Sequence, residues 1–278
     1  MKLPISIDLS GKVAVVTGGG GILCSAFAQA IAACGAAVAI VDLNGQAAQA
    51  VADKINEEGG RAIATGANCL KKESLDRAYT EICGKLGEPT ILINGAGGNH
   101  PKGTTDDEQY DPEAVKTFFD LDEDGIRFVL DLNFMGTLLP TQVFAKCMTG
   151  KPGATVINIS SMNAFRPLTK IPAYSGAKAA VSNLTQWMAV YFAKSGIRVN
   201  AIAPGFFVTN QNRSLLFDPD GKPTPRTDKI LKGTPMGRFG EQEELLGTLL
   251  WLLSEEASGF VTGIVVPVDG GFSAYSGV

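Results

Sequence analysis

Tyr174 and Lys178 stand four residues apart in the run Tyr-Ser-Gly-Ala-Lys, and Ser161 precedes the tyrosine by thirteen positions. On a helix, residues four apart project from one face, so a phenol and an ammonium can meet. A tyrosine that exchanges a proton near neutral pH needs its pKa lowered from ~10, and an adjacent ammonium does this by favouring the phenolate. A serine hydroxyl nearby can hydrogen-bond a substrate oxygen as charge develops on it. Asn133 is a polar amide in the otherwise apolar stretch Leu-Asn-Phe-Met. It needs a partner, such as a kink carbonyl, a water or an active-site group. Beside the other three residues it suits a water-mediated proton relay. The four together imply proton transfer coupled to hydride transfer at a carbonyl.

Hydride transfer needs a carrier, and the N-terminal region is built to hold one. A Val/Ile-rich run ends at Thr17 and is followed by Gly18, Gly19, Gly20 and Gly21, then by Ile22 at the start of a helical pattern. Glycines there let the backbone approach a pyrophosphate at the helix N-terminus. Asp42 closes the second apolar run, where a carboxylate can accept both ribose hydroxyls and repel a 2′-phosphate. No Lys or Arg occupies 18–22 or 43–45 to neutralise such a phosphate, which favours NAD over NADP. Asn94, Gly95, Ala96 and Gly97 follow the fourth run and leave room for adenosine. Asn68, with Cys69 beside it, contacts adenine or is simply a loop amide. Pro204-Gly205 and the segment through Val208 and Thr209 can clamp a carboxamide or form a plain turn.

These residues need a scaffold that brings strand ends together, and the hydrophobic pattern supplies one. Short Val/Ile runs at 13–16, 37–41, 91–93, 155–159, 197–202 and 264–268, with a weaker one at 61–65, alternate with amphipathic stretches. Those stretches, 22–34, 45–58, 71–86, 125–148, 173–195 and 241–254, read as helices. Regular strand–helix alternation means parallel pairing with helices on both faces, a doubly wound α/β sheet. No linker or internal repeat divides the chain, so residues 1–278 are expected to form a single domain. Two polar stretches break the rhythm: an insert at 98–118, and a segment at 206–240 whose Asp218-Pro-Asp-Gly221 and Pro223-Thr-Pro225 oppose one long helix. Both follow strand ends, where ligands bind in such sheets.

Composition narrows the function. The chain has 278 residues, a net charge of −4, five cysteines and one histidine. That balance offers no footprint for nucleic acid, and no cluster has zinc-ligand spacing, so no metal is expected. No run approaches the length needed to span a bilayer. The first residues lack an unbroken apolar core of a secretory signal, and the odd cysteine count without Cys-x-x-Cys suits reduced thiols. A cytoplasmic location follows as an expectation.

The set Thr17-Gly18, Asn94-Gly-Ala-Gly97, Asn133, Ser161, Tyr174-x-x-x-Lys178 and Pro204-Gly205 resembles the short-chain dehydrogenase/reductase family, from Leu9 to Phe272. The resemblance implies a Rossmann-like domain with a seven-stranded parallel sheet in the order 3-2-1-4-5-6-7. It implies Tyr174 as acid/base, Lys178 lowering its pKa and binding the nicotinamide ribose, Ser161 orienting the carbonyl and Asn133 holding a relay water. It also implies a homotetramer, with the helices near 125–148 and 173–195 forming one interface. In one respect the chain departs: the family's glycine pattern would place glycines at 22 and 24, where Ile22 and Cys24 stand. Close packing of the first helix on its strand is thereby put in doubt.

Within the family, Gly-Gly-Gly-Gly-Ile-Leu, the 98–118 insert, Ser161 to Arg166 and Phe207 to Arg213 look like a sugar-acid branch, the D-mannonate oxidoreductases (fructuronate reductases). An anionic polyol needs a cation and several hydrogen-bonding partners. His100, Lys102, Asn163, Arg166, Asn210, Asn212 and Arg213 fall on segments expected near the nicotinamide, with His100 and Arg166 foremost. The abundance of amides opposes a greasy substrate, although Phe165, Phe206 and Phe207 keep a steroid-like alcohol open. Gluconate 5-dehydrogenase or another polyol or aldonate dehydrogenase is the nearest alternative. A non-enzymatic NAD-sensing regulator on the same fold is the distant one, and it has no need of Ser161, Tyr174 and Lys178.

Overall fold

Alternating residues along each strand belong to two different cores, which is what a sheet covered on both faces requires. In β1 (Val13–Thr17) Ala14 and Val16 face one core, while Val13 and Val15 face the other. The same division holds in β2 (Ala37–Asp42), with Val38 and Ile40 against Ala37, Ala39 and Val41. The computed structural model describes residues 7–209 and 212–277. Among them seven strands form one parallel sheet in the order β3-β2-β1-β4-β5-β6-β7. The remaining strands are β3 (Arg61–Gly66), β4 (Ile91–Asn94), β5 (Thr155–Ile159), β6 (Arg198–Pro204) and β7 (Val265–Val268). The weak strand candidate at 61–65 is thus a full member, in register with β2 from Ala37↔Arg61 to Asp42↔Gly66.

Helices α1 (Ile22–Ala33) and α2 (Gly45–Glu57) pack on one face, and α3 (Lys72–Lys85) on the other. The long helical stretch expected at 125–148 is in fact compound. It comprises α4 (Glu123–Leu130), a π-helical turn (Asp131–Met135) and α5 (Gly136–Met148). Helix α6 (Pro172–Phe192) packs against α4 and the π turn. The 206–240 segment contains no long helix, as its turn chemistry required: α7 (Arg213–Leu216) and α8 (Pro225–Gly233) are short and separated by the Asp218–Gly221 turn. The chain closes with α9 (Leu246–Leu253), α10 (Glu255–Ser258) and β7.

The joined stretch Glu123–Met148 corrects one expectation. Among the described residues it is long and apolar enough to cross a membrane, with half of its most apolar window buried in the protein. The sequence hid this because Asn133 and Pro140 interrupt the apolar run, yet neither ends the helix.

Candidate active site

Every catalytic candidate lies at the C-terminal end of the sheet. Ser161 follows β5, and its hydroxyl caps a short 3₁₀ turn (Met162–Ala164) by accepting the Asn163 N–H at 3.2 Å. Pro172 starts α6, where its missing N–H costs nothing, and the first two turns carry Tyr174 and Lys178. The Ser161 side chain acts on the Tyr174 phenol in the sense that favours the phenolate. Lys178 is buried, donates to the Ile159 carbonyl at 2.8 Å, and stands 5.7 Å from the Tyr174 ring centroid.

The charge balance differs from the sequence expectation. Burial pushes the Tyr174 phenol above its usual value, opposed only by the Ser161 side chain. Lys178 does not offset this, because its ammonium lies at the ring face and donates to Ile159. Burial also pushes Lys178 down to about 8, with the nearby Cys24 thiol favouring the charged form slightly.

Asn133 sits in the π turn and uses its whole side chain there. Its Nδ2 donates to the carbonyls of Val129 and Gly98, both at 2.7 Å, and its Oδ1 accepts the Gly98 N–H at 3.3 Å. The amide thus pins the loop after β4 to the widened helical turn. Gly97 is obligatory beside it, since a Cβ would stand 2.7 Å from Asn133 Oδ1 and 3.1 Å from Lys178 Nζ.

At the other end of the cleft the glycine turn shows why its pattern shifted. A Cβ on Gly18 would meet Gly95 and Ala96 backbone at 2.9 Å, and one on Gly19 would meet Ile40 at 2.7 Å. One on Gly20 would meet Ala47 at 2.8 Å and Asp42 Oδ2 at 3.1 Å. Gly21 caps α1 with no side-chain partner, leaving Ile22 and the first-turn N–H groups for an anion. Cys24, standing where the family has glycine, is accommodated because Gly95 opposite lacks a side chain: a Cβ there would fall 2.1 Å from the sulfur. The packing doubt is resolved by that exchange of small residues. Asp42 holds the Gly20 N–H at 3.0 Å and the Asn44 N–H at 2.8 Å, at the mouth of the turn. These features fit a dinucleotide.

Other cofactor candidates divide. Asn94 departs from expectation: its side chain turns into the core, where Nδ2 donates to Thr141 and Asn158 at 2.8 and 2.9 Å and Oδ1 is buried without a partner. Asn158, in turn bonded to Thr185 at 2.9 Å, was overlooked, although an amide inside an apolar strand was the signal. Thr17 orders the adjacent loop, its hydroxyl accepting from Gly95 at 3.1 Å. Asn68 makes a local turn to Leu70 at 2.8 Å. Cys69 beside it is buried, its thiol pushed up to about 11 by desolvation. Gly205 allows β6 to pass Asp269, where a Cβ would be 2.5 Å from its Cα. Past Val208, the Thr209 N–H donates to Asn212 at 2.7 Å, and Asn212 holds the Phe207 carbonyl at 2.8 Å. A cavity of about 360 Å³ opens here, between Phe206, Phe207, Met236 and Gly270, rather than against Ser161 or Tyr174.

The substrate candidates are less uniform. His100 accepts the Lys102 N–H at 3.2 Å and packs its ring on Phe128, 5.1 Å between centroids. Lys102 faces Asp122 at 3.6 Å. Asn163 is buried, its Oδ1 taken by the Leu168 N–H at 3.1 Å. Arg166 is exposed and donates to the carbonyl of Tyr275 in the C-terminal tail. Arg213 lies over the Phe217 ring at 5.7 Å. Asn210 falls outside the described residues.

Fold and site together define an α/β oxidoreductase of the Rossmann type, with Ser161, Tyr174 and Lys178 gathered at one end of the sheet. The chain belongs to the short chain dehydrogenase family, whose model matches residues 12–219. It is 60% identical to an oxidoreductase of Haemophilus influenzae named as uncharacterized, over 100% of this chain and 99% of that one. It is 32% identical to the 7alpha-hydroxysteroid dehydrogenase of Escherichia coli K12, over 96% of each. A crystal structure of a candidate D-mannonate oxidoreductase from Haemophilus influenzae, with NAD bound, superposes with a TM-score of 0.94 at 60% identity, covering 98% of each chain.

Proposed function

We propose that the protein is an NAD-dependent oxidoreductase of a sugar acid, interconverting D-fructuronate and D-mannonate. The observation that carries the reading is the gathering of Ser161, Tyr174 and buried Lys178 at the same sheet end as the Asp42-closed glycine turn. The name of the NAD-bound Haemophilus influenzae structure supports the substrate. Gly18, Gly21 and Ile22 would hold the pyrophosphate, Asp42 the adenosine ribose, and the 94–96 backbone with Asn68 and Cys69 the adenine side. Lys178 would hold the nicotinamide ribose, and the segment from Pro204 and Gly205 to Val208 and Thr209 the carboxamide.

When bound, the dinucleotide supplies or accepts the hydride. In the reductive direction Tyr174 gives its proton to the forming alkoxide, and Ser161 donates a hydrogen bond to the same oxygen. The high pKa of the buried phenol keeps that proton in place at neutral pH. In the oxidative direction the phenolate takes the hydroxyl proton, with the Ser161 side chain favouring that form. Asn133 fixes the 97–98 loop beside the Lys178 ammonium. Arg166, His100, Asn163 and Arg213 are the proposed polar surround of the acid.

A gluconate 5-dehydrogenase is the second reading, favoured by 31% identity over 266 residues to the 5-keto-D-gluconate 5-reductase of Escherichia coli K12. NADH consumption with D-fructuronate, beside 5-ketogluconate and with NADPH as control, separates the two. Turnover with fructuronate and NADH alone is expected. Tyr174→Phe should lose at least about a hundredfold in turnover while NADH still binds; normal turnover would end the assignment.

The proposal extends to a homotetramer meeting through the α4–α5 and α6 faces, in a cytoplasmic setting. Exposed Phe128, Trp187, Val190 and Tyr191 on those helices and the five free cysteines support it.

A further inference from the structure

The 98–118 insert follows the rim of the active site from one bank to the other. At Gly98, past the end of β4, it is pinned by Asn133 at 2.7 and 3.3 Å. At Gly103 it passes Ala173, the neighbour of Tyr174, so closely that a Cβ would lie 3.6 Å from the alanine methyl. The Thr105 N–H then donates to the Lys170 carbonyl at 2.9 Å, and the Lys170 ammonium donates to the Asp106 carbonyl. Glu108 next pairs with Lys229 of α8 at 2.8 Å. The chain turns back with Asp106 N–H on the Lys116 carbonyl at 3.0 Å and the Lys116 ammonium on the Pro101 carbonyl.

Two details set these ties apart from ordinary surface contacts. Lys170, in the loop between Ser161 and Tyr174, is the one non-glycine among the described residues with positive φ, at 70°. A side chain with a Cβ resists that conformation, and it persists only where the surroundings hold it. Here the insert holds it at both carbonyl and ammonium. Glu108 is not a stray surface acid either. Its carboxyl is kept below the usual range by the Lys229 hydrogen bond, with Lys170 and Arg226 adding attraction against a desolvation cost.

We infer that residues 98–118 are a strap across the mouth of the active site, with Lys170 and Glu108 as positioning residues that determine which substrates reach Tyr174. The inference rests on the sugar-acid reading for its choice of substrate only. Tied at Lys170 on one bank and Lys229 on the other, the strap admits a compact polyol acid and excludes a bulky ring system.

The test uses Glu108→Lys, Lys229→Glu, the double exchange, and Lys170→Gly, which keeps the left-handed backbone but removes the ammonium. The readouts are KM and kcat for fructuronate, NADH consumption with a polycyclic steroid ketone, and amide hydrogen exchange across 105–118. Each single variant should raise KM roughly three- to fivefold with little change in kcat, the scale of losing one exposed ion pair. Each should also speed exchange in the strap and gain turnover of the steroid ketone. The double exchange should restore all three. Unchanged exchange and KM in Glu108→Lys, or failure of the double exchange to restore them, would overturn the strap. If 5-ketogluconate proves to be the substrate, KM is read on it instead. Hydrogen exchange needs no substrate, so an error in the sugar and an error in the strap give different results.

Discussion

At Lys178, burial and the proposed catalytic role pull in opposite directions. The ammonium is nearly inaccessible, its proton held at about 8 because desolvation penalises the charge. The unfolded chain binds that proton more tightly, so between about 8 and the ordinary lysine value near 10.5 this residue makes stability rise with pH. Below that window the penalty stands in full, on the order of 3 kcal/mol for such a shift. Lys178→Met removes the titration. Denaturant unfolding of both proteins should show wild type gaining up to about 3 kcal/mol relative to the variant as pH rises through the window. A constant difference would mean that Lys178 is hydrated in solution. The same burial places the lysine beside Tyr174, so the destabilisation comes with the chemistry.

Among the elements, α1 and the loop after β4 show how a displaced glycine can be compensated. Where the family pattern puts a small residue on the helix, this chain puts Cys24, and Gly95 opposite it supplies the space. Burial raises the Cys24 thiol to about 12, so it is a packing group and no nucleophile. Gly95→Ala would drive a methyl into the sulfur at 2.1 Å and the Thr17 carbonyl at 2.8 Å. A loss of about 1–3 kcal/mol is expected from overpacking, measured by thermal unfolding. Adding Cys24→Ala should recover part of it, leaving the carbonyl contact. No recovery would show that the sulfur is not what fills this space. The π turn is a second such device: it opens the helix where Asn133 must reach both Val129 and Gly98.

For the whole molecule, the informative surface is the helical face carrying Trp187 and Tyr191. Their rings stack at 4.8 Å, yet they are 58% and 65% exposed, with Val190 between them at 81%. Large apolar residues grouped in this way mark an association surface. Trp187→Glu with Tyr191→Glu should reduce the proposed tetramer to a smaller species in light scattering. A wild-type protein that is monomeric at micromolar concentration would rule the face out. Activity in the dissociated variant would show that each subunit carries a complete site.

The doubly wound sheet was legible in the sequence because buried parallel strands demand unbroken Val/Ile runs, and strand–helix alternation leaves few topologies. Ser161, Tyr174 and Lys178 were legible because helical spacing and strand ends place them without long-range information. The register of the weak third strand, the joining of 123–148 into one helical stretch and the inward turn of Asn94 were not. Each depends on partners distant in the chain: β2 for the strand, Gly98 for Asn133, and Thr141 with Asn158 for Asn94. The exchange of Cys24 with Gly95 lies 71 positions apart and has no local signature. Lys170 and Glu108 read as ordinary surface charges until the tertiary structure brought the insert against one and α8 against the other. Local pattern thus determined what chemistry the chain can perform, while packing decided how far each charge is desolvated and which segments stand over the site.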